Sequence, residues 1–137
     1  MPPTANPIQR LARAITAGPS AARSWRVLLV LLLCTITWLA LTPVPPQQAS
    51  LGWDKLNHAA AFAILAAVAF LGRIGGWVRI AWALVAYGAL IEILQSFTPT
   101  RSAEWGDLLA DGAGIASGLL LAAGVSWLAS RPDGKHR

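Results

Sequence analysis

Charge is scarce in this chain: Asp, Glu, Lys and Arg make up only 12% of its 137 residues, against about 25% in a typical soluble domain. So few polar side chains cannot cover a globular surface, which excludes an ordinary soluble domain. Acids are the rarest, six against eleven bases. Cysteine is limited to Cys34, inside an apolar run. One thiol cannot close an internal disulfide, so cysteine usage says nothing about redox compartment. No H-E-x-x-H, C-x-x-C or Gly-rich phosphate loop occurs, and no repeat with a period of about 20–50 residues.

What is present is apolar. Hydrophobic residues account for 55% of the chain and the mean hydropathy is +0.54. Together these point to an integral membrane protein, with the lipid bilayer as its first partner. The net charge of +5 and the pI near 10.7 would suggest nucleic acid in a soluble protein. Here the bases flank apolar runs and read as topogenic charge, so no nucleic-acid partner is expected.

The apolar runs predict an all-α, four-helix transmembrane bundle. Residues 1–24 carry Pro2, Pro3, Pro7 and Pro19 with Arg10, Arg13 and Arg23. They read as a tail with a short interfacial helix around Ile8 to Ala17. The first run, WRVLLVLLLCTITWLAL, spans 25–41. At about 1.5 Å per residue it covers about 26 Å, near the hydrocarbon thickness of about 30 Å. It sits at the upper limit for a signal-peptide core and is read as a retained span. Pro43, Pro45 and Pro46 stop it. The second run covers 55–72, and Gly75-Gly76 supply the freedom for a tight turn. The third covers 77–97, ended by Thr98-Pro99, and the fourth covers 107–129. The expected organisation is a tail at 1–24, a four-helix domain at 25–130 and a second tail at 131–137.

Lys/Arg placement orients the bundle. With four crossings, Arg10, Arg13, Arg23, Arg26, Arg73, Arg79, Arg131, Lys135 and Arg137 share one side, and only Lys55 and Arg101 fall on the other. By the positive-inside rule both termini are expected on the cytoplasmic side of the cell membrane. Trp38, Trp53 and Trp105 then mark the outer interface, and Trp25, Trp77 and Trp127 the inner one.

This topology gathers the acids. Asp54, Glu92, Glu104, Asp107 and Asp111 fall at the outer end, and only Asp133 at the inner one. Asp54, Asn57 and His58 share a face at i, i+3 and i+4. Glu92 lies about 7 Å below the end of the third run, at about 1.5 Å per residue. Asp107, Asp111, Gly114 and Gly118 fall within about 60° of arc on the fourth. Buried ionisable groups are costly in lipid, about 2.5–3.5 kcal/mol each at helix centres, so these should face inward and pair. Arg101 suits a carboxylate such as Glu92 or Asp107, or an anionic ligand. Plainer roles compete. Asp54 and Asp107 stand where acids cap helix starts, Glu104 reads as a solvated loop residue, and Gly114-x-x-x-Gly118 reads as helix packing. The spacing is not diagnostic of a metal, and no metal or other cofactor is assigned.

The stretches DKLNHAAAFAILA and EILQSFTPTRSAEWGDLLADGAGIASG resemble the VanZ-like family of bacterial membrane proteins over roughly residues 27–128. The family pattern opens one helix with Asp-Lys…His and continues Glu…Gln…Pro-x-Arg…Asp…Asn or Asp…Gly. Asp54, Lys55, His58, Glu92, Gln95, Pro99, Arg101, Asp107 and Gly114 match it. Asp111 stands where an Asn is often found, and Phe62 at an often aromatic position. The resemblance implies a link to low-level resistance to teicoplanin, a lipoglycopeptide acting at the cell surface, and brings no settled biochemical activity.

The expected site is therefore an outward-facing polar cluster of Asp54, Lys55, His58, Glu92, Gln95, Arg101, Asp107 and Asp111. It would engage an envelope lipid, a cell-wall precursor or the lipoglycopeptide. An intramembrane enzyme acting on a head group is the alternative, with His58, Glu92 and Asp111 as the catalytic candidates. A purely structural polar clasp is the third reading. A bundle this small could also pair as a homodimer, with the glycines of the fourth helix as one face.

Overall fold

The computed structural model describes residues 6–43, 53–98 and 104–131. All regular structure among them is α-helical: α1 Pro7–Thr16, α2 Gly18–Leu41, α3 Asp54–Leu71, α4 Trp77–Gln95 and α5 Trp105–Ser130. The last four are long and apolar enough to cross a membrane. Their exposed surface carries Val30, Leu31, Trp82, Leu109 and Leu120, an apolar belt that suits lipid rather than water.

The first span is longer at its start than the sequence expectation. It begins at Gly18 because Pro19 sits in the first turn, where its missing N–H costs no hydrogen bond and its fixed φ favours helix. Proline there starts the helix instead of marking a tail. The short amphipathic α1 does form, with Asn6 capping it by accepting from the Ile8 N–H at 3.1 Å. Arg13 pins α1 to the end of α5 through bonds to the carbonyls of Ala129 and Arg131.

The turn after α3 also differs. The left-handed residue is Arg73, at φ 53°, and not Gly75 or Gly76. Ile74 N–H donates to Ala69 O and Arg73 N–H to Phe70 O, the paired bonds of a Schellman helix ending. That motif needs its left-handed residue just after the helix, ahead of the two glycines. The Arg73 guanidinium also bonds Thr16 O at 3.1 Å, so the residue fastens α1 to this end of the bundle.

The centre of the bundle is the α3–α5 pair. A Cβ at Gly114 would run into the Ala59 carbonyl, and one at Gly118 into the Ala63 carbonyl. The two helices touch backbone to backbone, the contact small residues permit when lipid removes the hydrophobic drive between helices. Gly114 and Gly118 are therefore used within the chain, whereas a Cβ at Gly112 or Gly124 of the same helix would meet nothing within 4 Å. Around this pair pack Phe62, Leu65, Ala66 and Ala69 of α3, Ile80 and Leu84 of α4, Ile115 of α5 and Leu29 of α2. α2 is peripheral. Its polar ties to α4 are the Tyr87 hydroxyl, 2.8 Å from Thr37 Oγ1 and 3.2 Å from Leu33 O, and the Gln95 amide, which donates to Ala40 O at 3.1 Å.

Candidate functional site

Four polar or charged residues are buried among the described residues: Glu92, Gln95, Asp107 and Asp111. They stand at one end of the bundle, where α3 and α5 begin and α4 ends. The sequence expectation had named all four.

Asp111 is the most enclosed, at 0% exposure. It lies on the second turn of α5, about 9 Å from the helix start at about 1.5 Å per residue. Its Oδ1 is 2.9 Å from His58 Nδ1 on α3. With Asp111 ionised and the ring neutral, the carboxylate accepts, Nδ1 carries the proton and Nε2 keeps a lone pair. Asp111 Oδ2 has no hydrogen-bond partner among the described residues. It lies against Gly88 of α4, where a Cβ would meet that oxygen and the ring of Phe62. Gly88 escaped the sequence reading. The available signal was its position four residues before Glu92, on the same face of α4.

Lys55 supplies the positive charge among these residues. Its Nζ is 2.8 Å from Glu104 Oε2 and 3.4 Å from Asp107 Oδ1. Glu104 is therefore paired and not simply solvated, because Lys55 at the start of α3 reaches across to the start of α5. Hydrogen bonding and charge from Lys55 hold the Glu104 carboxyl below its ordinary value. Glu92 Oε2 accepts the backbone N–H of Glu104 at 2.9 Å, which ties the last turns of α4 to the N-cap of α5. Its Oε1 has no partner among the described residues. No capping bond comes from the residues just before α3 and α5. Asp54 is the first residue of α3 and Asp107 the third of α5. Neither is an N-cap, and both are placed to favour the positive helix end by charge. Gln95 directs its amide nitrogen to the Ala40 carbonyl of α2. Arg101 and Pro99 lie outside the described residues, as do the expected pairings of Arg101.

A crevice of about 350 Å³ opens between α4 and α5, lined by Ala89, Glu92, Ile93, Ser96, Glu104, Trp105 and Leu108. It gives Glu92 a route to the surroundings through mostly apolar walls. On the α3 side, ligand atoms of Asp54, His58 and Asp107 lie within 4.8 Å of one another. Folding makes this grouping from residues whose linear spacing carries no metal signature.

The sequence model of the VanZ/LLP1 family matches residues 20–128. The chain belongs to the VanZ/LLP1 family. No curated protein and no solved structure matches it. The matched VanZ/LLP1 segment runs from the first turn of α2 almost to the end of α5, so the polar end lies inside it and α1 precedes it.

Proposed function

We propose that this VanZ/LLP1 protein spans the bacterial cytoplasmic membrane with its polar end outward and both termini inward. In this reading the polar end binds or modifies a component of the cell envelope: an anionic lipid head group, a cell-wall precursor or a lipoglycopeptide. The observation that carries the proposal is the enclosed Asp111–His58 pair, set beside Lys55, Asp107 and Glu92 by three helices at one end. Lipid penalises such groups unless they serve packing or ligand contact. Both Asp111 and Glu92 keep an oxygen unpartnered among the described residues, more than a closed clasp needs. Lys55 and Arg101 would meet an anionic group. Asp54, His58, Glu92, Gln95, Asp107 and Asp111 would shape and orient the contact.

The test is expression in a teicoplanin-sensitive host. Wild type raises the inhibitory concentration, while His58→Ala and Lys55→Ala accumulate in the membrane without doing so. An unchanged susceptibility with well-expressed wild type removes the resistance reading.

The Asp111–His58 geometry favours one second reading, an intramembrane enzyme acting on a head group. His58 would exchange the proton and Asp111 would hold the ring, the division of labour of a base and its orienting acid. Purified protein would then turn over an envelope lipid, and full activity in His58→Ala would exclude this assignment.

A further inference from the structure

We propose that Asp54, His58 and Asp107 form a site for one first-row divalent cation of the Mn²⁺ or Zn²⁺ type. The site goes beyond the envelope-binding reading and stands without it.

The first argument is distance. One ligand atom from each of the three residues lies within 4.8 Å of the others. Donors about 2.0–2.2 Å from a shared ion are at most about 4.4 Å apart. Closing that difference takes a small side-chain adjustment, and Asp54, exposed on the first turn of α3, is free to make it.

The second argument is the imidazole. Asp111 is fully buried, and its Oδ1 pairs with His58 Nδ1 at 2.9 Å. That bond fixes the ring and leaves Nε2 as the lone-pair nitrogen. A carboxylate behind a histidine is the usual support for a metal-binding imidazole, because it sets the tautomer and raises the ring's basicity. Asp111 is here a positioning residue and not a ligand.

The third argument is rigidity. Two ligands come from α3 and one from α5. Those helices are locked where Gly114 and Gly118 meet the carbonyls of Ala59 and Ala63. A metal site needs its ligands held by fixed elements, and this is the tightest helix pair in the molecule.

Charge agrees with the assignment. Asp54 and Asp107 bring two carboxylates together, and the cation near them, Lys55, is closer to Glu104 than to Asp107. A divalent ion would take over Asp107 and leave Lys55 on Glu104. One nitrogen and two carboxylates favour Mn²⁺ or Zn²⁺ over Ca²⁺ or Mg²⁺, which prefer oxygen alone. Three protein ligands leave at least one position open to water or to an oxygen of an incoming group.

The experiment uses the full chain, its affinity tag removed, in phosphatidylcholine nanodiscs with Mn²⁺ as the probe. The chain has two histidines, His58 and His136. In a His136→Ala background, any imidazole signal on bound Mn²⁺ therefore comes from His58. Electron spin-echo spectroscopy should show about one tightly bound Mn²⁺ per chain, as expected for a dedicated three-ligand site, with a nitrogen coupling that His58→Ala abolishes. Asp54→Asn and Asp107→Asn should weaken binding. Asp111→Asn should weaken it by roughly 10–100-fold while the nitrogen coupling remains at saturating Mn²⁺. Absence of bound Mn²⁺ in the background protein, bound Mn²⁺ without nitrogen coupling, or a coupling that survives His58→Ala would each overturn the site. The first two outcomes do not depend on any ligand variant folding. Asp54→Asn, at an exposed helix start, gives a ligand variant outside the core. Mn²⁺ bound as described with no teicoplanin phenotype would defeat the resistance reading alone. A phenotype without Mn²⁺ would defeat the metal site alone.

Discussion

His58 and Asp111 meet across the α3–α5 interface with 2.9 Å between Nδ1 and Oδ1, their side chains 11% and 1% exposed. Removing either partner leaves the other enclosed with an unmet hydrogen bond, a loss of about 1–3 kcal/mol. His58→Ala and Asp111→Ala should each lower the thermal midpoint of the detergent-solubilised protein. The double variant should lose less than the sum of the two, because neither orphan remains. Additive losses in this cycle would mean that the pair is not coupled.

Gly114 and Gly118 predict a contrast within one helix. Gly114→Ala or Gly118→Ala pushes a methyl into a backbone carbonyl of α3, and backbone cannot rotate aside. Overpacking of this kind costs about 1–3 kcal/mol. At Gly124 a Cβ would meet nothing within 4 Å, so Gly124→Ala should be neutral, or stabilising through helix propensity, which favours Ala over Gly by up to about 1 kcal/mol. Melting curves of the three variants check this. Equal effects at all three positions would count against the close α3–α5 contact.

The Lys55–Glu104 pair predicts a pH response at the start of α5. The folded Glu104 carboxyl lies below its ordinary value because of Lys55. A lowered folded value means that the contribution is complete above the unfolded glutamate value of about 4.3. It is lost as pH falls through the lower folded value. Hydrogen exchange of the first turn of α5 should therefore accelerate, after correction for the intrinsic pH dependence, as wild type is acidified through that window. Glu104→Gln should show the loosened turn already at neutral pH and no further step. An identical step in both proteins would place the titration elsewhere.

The spans and the gathering of the buried acids at one end were legible in the sequence for one reason. In a chain this apolar, each polar residue inside a run is an exception that must find a partner. Glu92, Gln95, Asp107 and Asp111 were found that way, and all four are buried. Partner choice was not legible. Lys55 reaches Asp107 and Glu104, and a backbone N–H reaches Glu92 Oε2, while the expected pairings of Arg101 lie outside the described residues. These pairings depend on how three helix ends meet, which periodicity along one chain does not encode. Pro19 misled for the opposite reason. A proline reads as a breaker unless the helix start is known, and here it occupies that start. Lys55 and His58 also show how one short segment divides its tasks, since the first two turns of α3 send the lysine to Glu104 and the histidine to Asp111.

Orientation is the remaining physical prediction. The end of the bundle holding Arg13, Arg26, Arg73 and Arg131 already spends these cations on backbone carbonyls or an aromatic face: Arg13 on α5, Arg26 on Gly72, Arg73 on α1 and Arg131 over Trp127 at 3.8 Å. Translocating that end would require moving a block of positive charge across the membrane, against the potential. Among the described residues the acid-rich end carries one Lys or Arg, Lys55, and meets a far smaller barrier. A fluorescent protein fused to the C-terminus should therefore mature and glow, because it stays in the cytoplasm. Alkaline phosphatase fused at the same point should remain inactive. The reverse pattern would turn the molecule over, put the His58–Asp111 pair at the cytoplasmic face and exclude its contact with an antibiotic acting from outside.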